Sequence, residues 1–137
     1  MLLDTGGTYM VEIKKCSICG QIVGVIKKTD VSMICCGKPM DRVVANEGDG
    51  AFEKHIPYVT CEDGKHLHIQ IGETLHPALD FHHIEWIIVE TNLRTLRYPL
   101  NPTEEPKRTF ELELKLEEKA VAVYEHCNIH GLYVKRF

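Results

Sequence analysis

Four cysteines, Cys16, Cys19, Cys35 and Cys36, fall within 21 residues of a segment that has almost nothing else to fold around. From Met1 to Val44 the apolar residues come in short scattered runs, and a unit of that size buries too little surface to be stable without cross-links or a metal. Six cysteines in all is an even number, which in a secreted chain would suggest disulfides. The opening Met1-Leu2-Leu3-Asp4-Thr5 lacks a basic segment followed by an apolar stretch of ~7–15 residues, so the sequence predicts a cytoplasmic protein. In a reducing cytosol thiolate ligands are favoured over bridges. A Cys-x-x-Cys turn lets two sulfurs converge on one ion, and a second pair supplies the remaining corners of a closed tetrahedral site for zinc or iron. Cys35 and Cys36 are adjacent, and neighbours on a strand point to opposite faces. Both reach one ion only where the chain bends, and Gly37 is placed to allow the bend.

The rest of the chain has a different character. After Val44 the run Ala45-Asn46-Glu47-Gly48-Asp49-Gly50-Ala51 is rich in turn-forming residues and marks a connector over residues 45–51. The sequence therefore divides into a four-cysteine metal domain over 1–44 and a second domain over 52–137. In the first, strands are expected near Tyr9–Lys14 and Gln21–Lys27. In the second, seven short runs alternate apolar and polar positions: Ile56–Cys61, Leu67–Ile71, Ile84–Glu90, Thr95–Tyr98, Thr109–Leu116, Ala120–His126 and Leu132–Phe137. That pattern, without a long amphipathic helix, predicts an all-β chain whose second domain is an antiparallel β-sandwich. Glu111 to Lys119 has helical propensity, but Phe110, Leu112, Leu114 and Leu116 recur at period two, so a strand is expected there.

All eight histidines lie beyond residue 50. Cys127-Asn128-Ile129-His130-Gly131 places a thiol and an imidazole three residues apart after a strand, with a glycine to free the backbone, and reads as a chelating loop. His76 and His82 lie too far apart to meet on a straight strand, where six residues span ~20 Å, and they face different ways on a helix; Pro77 suggests a folded loop. His55 follows the connector directly. Taken singly, each histidine reads better as a hydrogen-bonded structural residue; together with Cys127 they read as a second metal site. His66, His68 and His126 lie in strands without a partner motif and read as structural.

Five motifs in order, Cys16-x-x-Cys19-Gly20, Cys35-Cys36-Gly37-Lys38-Pro39-Met40, Glu53-Lys54-His55, His76-Pro77 with His82-x-Ile84-Glu85-Trp86, and Cys127-Asn128-Ile129-His130-Gly131, make the chain resemble desulfoferrodoxin, the two-domain superoxide reductase family. The resemblance implies a small rubredoxin/desulforedoxin-like β knuckle domain followed by an immunoglobulin-like sandwich, usually as a homodimer. It implies two mononuclear irons: one held by Cys16, Cys19, Cys35 and Cys36, the other by His55, His76, His82 and His130 in a plane with Cys127 axial. Choosing His82 over its neighbour His83 rests on motif alignment. The chain departs from related sequences at His83, often aromatic there, and in about eight extra residues before the first strand.

Five donors with a sixth position open suit redox-active iron better than zinc, which prefers four. The resemblance implies one-electron reduction of superoxide to hydrogen peroxide, with a rubredoxin-like protein returning the electron. Lys54 is expected to draw in the anionic substrate, and Glu53 resembles the carboxylate that fills the open position at rest. The residues alone leave open a non-enzymatic reading, a zinc-stabilised electron-transfer or metal-storage module. With a formal net charge of −4 and the two signs interleaved, the chain offers no basic stripe for nucleic acid, and no apolar run approaches the ~20 residues of a membrane span.

Overall fold

A computed structural model of the chain describes residues 11–47, 56–71, 82–100 and 109–137. The chain divides into two compact units, Met1–Val44 and Ala45–Phe137. The described residues contain no helix. The all-β expectation is therefore met, and among the described residues no helix is long and apolar enough to cross a membrane.

In the first unit, β1 (Glu12–Lys15) pairs antiparallel with β2 (Ile22–Val25). Two shorter strands, β3 (Ile34–Cys35) and β4 (Lys38–Pro39), form a separate hairpin, and β5 (Asp41–Arg42) pairs with the other edge of β1. Ile13 and Cys16 are the buried apolar side chains described here, whereas Ile18, Ile26, Val31, Ile34 and Val44 are exposed. Glu12 gathers Lys14, Lys28 and Arg42 at 3.5–3.9 Å. Such half-exposed pairs hold a sheet only weakly. The described part of the unit is as poor in core as its sequence suggests.

The second unit is built from β6 (Tyr58–Thr60), β7 (His66–Gln70), β8 (Ile84–Thr91), β9 (Thr95–Pro99), β10 (Thr109–Glu113), β11 (Ala120–Cys127) and β12 (Gly131–Arg136). They form two antiparallel sheets, β10-β7-β6 and β12-β11-β8-β9. Leu67, Ile69 and Phe110 from the first sheet meet Ile84, Ile87, Val89, Val123 and Cys127 from the second in one buried cluster. The sheets thus pack face to face, as a sandwich requires. β7, β9 and β10 alternate more and less buried residues, the period that the sequence displays, whereas β8 is buried without a break from Ile87 to Thr91 and β11 from Ala122 to Cys127. Asn46 adds a parallel bridge to the edge of β12: its backbone N–H donates to the Leu132 carbonyl at 2.8 Å and its carbonyl accepts from Val134 at 2.9 Å.

One strand ends earlier than its alternation suggests. β10 stops at Glu113, Leu114 is still buried and donates its N–H to Lys65, but Leu116 is 91% exposed. The chain turns because Glu118 reaches back. Its carboxylate accepts the Lys115 N–H at 2.8 Å, the Thr91 hydroxyl at 2.6 Å and Arg94 Nε at 2.7 Å. Glu117 takes a left-handed backbone, φ 63°, within that turn.

A second irregularity lies beside Cys127. His126 pairs with Trp86 but Cys127 pairs with Ile84, so Glu85 is an extra residue bulged out of β8. Bulges re-aim side chains. Here the bulge keeps Ile84 and Ile87 both facing the core and brings Glu85 Oε1 to 2.8 Å from His126 Nδ1. His126 also stacks on Trp86, rings 5.1 Å apart and nearly parallel.

Candidate metal centres

The knuckle after β1 is a tight turn. Cys16 N–H donates to the Gln21 carbonyl at 2.9 Å and Gly20 N–H to the Cys16 carbonyl at 3.0 Å. This curls the chain so that the N–H groups of Ile18 and Cys19 both point at Cys16 Sγ, each at 3.4 Å. Those donors, Cys19 first, lower the Cys16 thiol to about 6, because hydrogen bonds to the charged form favour it. Cys35, sharing its surroundings with Cys16 and Cys19, is pushed up to about 12, and Cys36 is also raised, chiefly by Cys19. With no cation beside them, four thiols this close cannot all ionise. A divalent or trivalent ion reverses that balance.

The adjacent pair reaches the same point through a two-residue hairpin. Cys35 pairs with Lys38, and the two residues between, Cys36 at φ 54° and Gly37 at φ 73°, are both left-handed. Positive φ at both central positions is the signature of a type I′ turn. The bend expected at Gly37 is present, and Cys36 shares it. Cys19 Sγ and Cys35 Sγ lie 3.7 Å apart, close to the edge of about 3.8 Å that a tetrahedron of ~2.3 Å metal–sulfur bonds would have. All four sulfurs lie within 4.8 Å of one another. The donor set fits iron or zinc.

At the second cluster, β11 delivers Cys127 to the core side and the turn Asn128–His130 carries the chain into β12, with Gly131 left-handed at φ 90°. His82, Cys127 and His130 place one donor atom each within 4.8 Å. His130 Nδ1 lies 3.6 Å from Cys127 Sγ, and the rings of His82 and His130 meet edge to face with centroids 5.0 Å apart. Cys127 is fully buried and His130 is exposed. Burial raises the Cys127 thiol, so a thiolate there needs a cation beside it. One soft sulfur and two imidazoles suit a transition metal. Glu53, Lys54, His55 and His76 lie outside the described residues.

Two residues that the sequence left without a role stand out. Asn128 clamps the preceding segment: its Oδ1 accepts the His83 N–H at 2.9 Å and its N–H donates to the His83 carbonyl at 3.1 Å. The backbone beside His82 is thereby tied to the Cys127–His130 turn. Glu125, two residues before Cys127 on the same inward face, is fully buried, and neither of its carboxylate oxygens has a hydrogen-bond partner among the described residues. Desolvation drives its pKa well above the ordinary value, because burial disfavours the charged form. A polar residue between apolar strand neighbours was the available signal for Glu125. The histidines read as structural do make local contacts: His66 Nδ1 lies 2.6 Å from Asp63 and His68 Nδ1 3.2 Å from Glu111.

The sequence matches two family models, desulfoferrodoxin N-terminal domain over residues 8–43 and desulfoferrodoxin over residues 47–136. The chain belongs to the desulfoferrodoxin family. It is 38% identical over 122 residues to a desulfoferrodoxin homolog of Methanothermobacter thermautotrophicus, covering 89% of this chain and 95% of that protein. It is 36% identical over 123 residues to the desulfoferrodoxin of Syntrophotalea carbinolica, covering 89% and 93%. Among solved structures it is similar to the superoxide reductase from Treponema pallidum, with a TM-score of 0.74 and 19% identity over 93% of this chain and 99% of that one. That last likeness establishes the shared fold. The four-cysteine cluster and the His82–Cys127–His130 cluster each fall within one of the two matched family regions.

Proposed function

We propose that this chain is a superoxide reductase, reducing superoxide by one electron to hydrogen peroxide at an iron centre held by His55, His76, His82, His130 and Cys127. The observation that carries the reading is the convergence of Cys127, His82 and His130 in a member of a superoxide reductase family. Iron bound there supplies the electron and an open coordination position. The chain's residues do the rest. The buried Cys127 sulfur gives a charged donor on the core side, and the exposed His130 leaves the other side accessible to a small anion. Hydrophobic packing around Cys127 from Ile84, Ile87 and Val123 limits water at the sulfur.

Lys54 is assigned the steering of superoxide, since a cation beside the site raises the encounter rate of an anion and salt screens the effect. Glu53 is assigned the closure of the open position at rest. Cys16, Cys19, Cys35 and Cys36 hold the second iron, zinc being able to replace it. The electron is returned by a rubredoxin-like donor, and the protein works as a cytoplasmic homodimer.

Pulse radiolysis of the purified protein tests the reading. Superoxide should be consumed by the reduced protein in a fast bimolecular step, with two iron ions per chain, one for each cluster, and a thiolate-to-iron charge-transfer band that grows on mild oxidation. Colourless protein that holds zinc alone and leaves superoxide to dismute would overturn it. Lys54→Ile should lower the bimolecular rate and flatten its dependence on ionic strength.

A further inference from the structure

The four-cysteine cluster is asymmetric in a way that a closed metal site does not need. Cys16 is 2% exposed and its sulfur takes two backbone N–H bonds, whereas Cys19 and Cys36 are exposed. Cys19 Sγ and Cys35 Sγ face each other at 3.7 Å near the surface. Closing that gap to a disulfide bond of ~2.05 Å takes a movement of under about 2 Å, at the tip of the short β3–β4 hairpin. A Cys35–Cys36 bridge would need both sulfurs of adjacent residues to meet across one peptide unit. A Cys16–Cys19 bridge would take the buried sulfur away from the two N–H groups aimed at it.

We propose that Cys19 and Cys35 form a peroxide-oxidisable pair, a reversible modification site that closes as a disulfide and discharges the ion of the first unit. In the first step the exposed Cys19 thiolate attacks hydrogen peroxide: an S–O bond forms, the O–O bond breaks, and hydroxide leaves, giving a sulfenic acid on Cys19. In the second, the Cys35 sulfur displaces hydroxide from Cys19, forming the S–S bond. Two protons convert the two hydroxides to water. The sulfurs together give up two electrons and the peroxide accepts them. Loss of two of four donors leaves Cys16 and Cys36 unable to retain the ion.

The local source of the oxidant rests on the superoxide reductase reading, since peroxide is that reaction's product; the disulfide itself does not rest on it. The test therefore supplies hydrogen peroxide directly to the full-length, iron-loaded protein. Iron release is followed with a chromogenic chelator, free thiols are alkylated, and the protein is mapped without reduction. The expected result is a Cys19–Cys35 linked peptide that appears in step with release of one iron per chain. Cys16 and Cys36 should still be alkylated, and dithiothreitol with added iron should restore the starting spectrum. A link between any other pair, irreversible oxidation without a link, or four cysteines alkylated after iron has left would overturn the proposal. As a second arm, Cys61→Ser, which removes the exposed cysteine outside both clusters, should leave the linked peptide unchanged; its loss in that variant would also overturn the assignment. Superoxide consumption, measured in parallel on the same preparation without added peroxide, reports separately on the sandwich site.

Discussion

Asn128 ties two parts of the candidate metal centre together without itself belonging to the donor cluster. His82 and the Cys127–His130 turn are 45 or more residues apart in sequence, and the two-way bond between Asn128 and His83 is a direct tie between them. Supporting contacts of this kind typically govern metal affinity by 10–100-fold. Asn128→Ala removes the acceptor for the His83 N–H but keeps the backbone donor, so iron affinity at the second cluster should fall by roughly tenfold, read by competition with a chelator. Asn128→Asp retains Oδ1 and should recover most of the loss. Equal affinity in all three proteins would show that His82 is held by other means. The sequence displayed Asn128 inside the Cys-Asn-Ile-His motif but not its task, because an asparagine in a turn ordinarily bonds to its own backbone. Glu125 was hidden for the opposite reason: strand alternation marks it as inward-facing, and nothing in the pattern explains a carboxyl there.

The strands themselves were legible because β7 and β10 alternate at period two, while β8 and β11, buried along most of their length, read as longer runs bounded by turn residues; the runs around Leu67, Ile84, Ala120 and Leu132 correspond to β7, β8, β11 and β12. What the period could not reveal is where alternation stops mattering. Leu116 continues the rhythm of Phe110, Leu112 and Leu114, yet it is exposed because the Glu118 network turns the chain before it. The bulge at Glu85 was equally silent, since an extra residue shifts phase without changing composition. The network makes its own prediction. Arg94, hydrogen-bonded to Glu118 first among its partners, holds the Glu118 carboxyl at about 2 against an ordinary value of 4.5. A carboxyl depressed on folding adds stability that is fully present above about pH 4.5 and drains away as pH falls toward 2. Arg94→Met leaves a fully buried carboxylate without its partner and should cost on the order of 3 kcal/mol, measured by urea unfolding at pH 7. The same variant should be less sensitive to acid between pH 4.5 and 2. At the β6–β7 turn the sign is opposite. His66 is raised above 6.5, chiefly by its bond to Asp63, so that contact contributes at low pH and is lost as pH rises through the folded value. An NMR titration should show His66 ionising above the unperturbed range, and Asp63→Asn should return it there.

At the scale of the whole chain, the two units differ in what holds them. The second contains a continuous core from both sheets, including Ile69, Val89, Phe110 and Val123. In the first, the described buried apolar side chains are Ile13 and Cys16, and Cys16 is itself a member of the four-sulfur cluster. One proposed ligand, Cys16, therefore forms part of what little core is described, and the other three lie nearer the surface, which is why cysteine spacing was the most informative feature of the sequence. A structural ion at four thiolates can supply ~10–16 kcal/mol of apparent binding free energy, all of it available to folding when the unfolded chain has no site. The sandwich has no comparable need, because its Cys127 cluster lies at the end of an independently packed core. Metal removal should then unfold the chain in part. With both ions chelated under reducing conditions, backbone amides of Ile13, Val23 and Val25 should exchange with solvent within minutes. Those of Ile69, Val89 and Val123 should keep most of their protection. Restoring iron or zinc should return protection to β1 and β2. Uniform loss across both units would mean that the sandwich draws its stability from the metal as well, and unchanged protection in β1 and β2 would mean that Ile13 and the Glu12 ion pairs suffice without it.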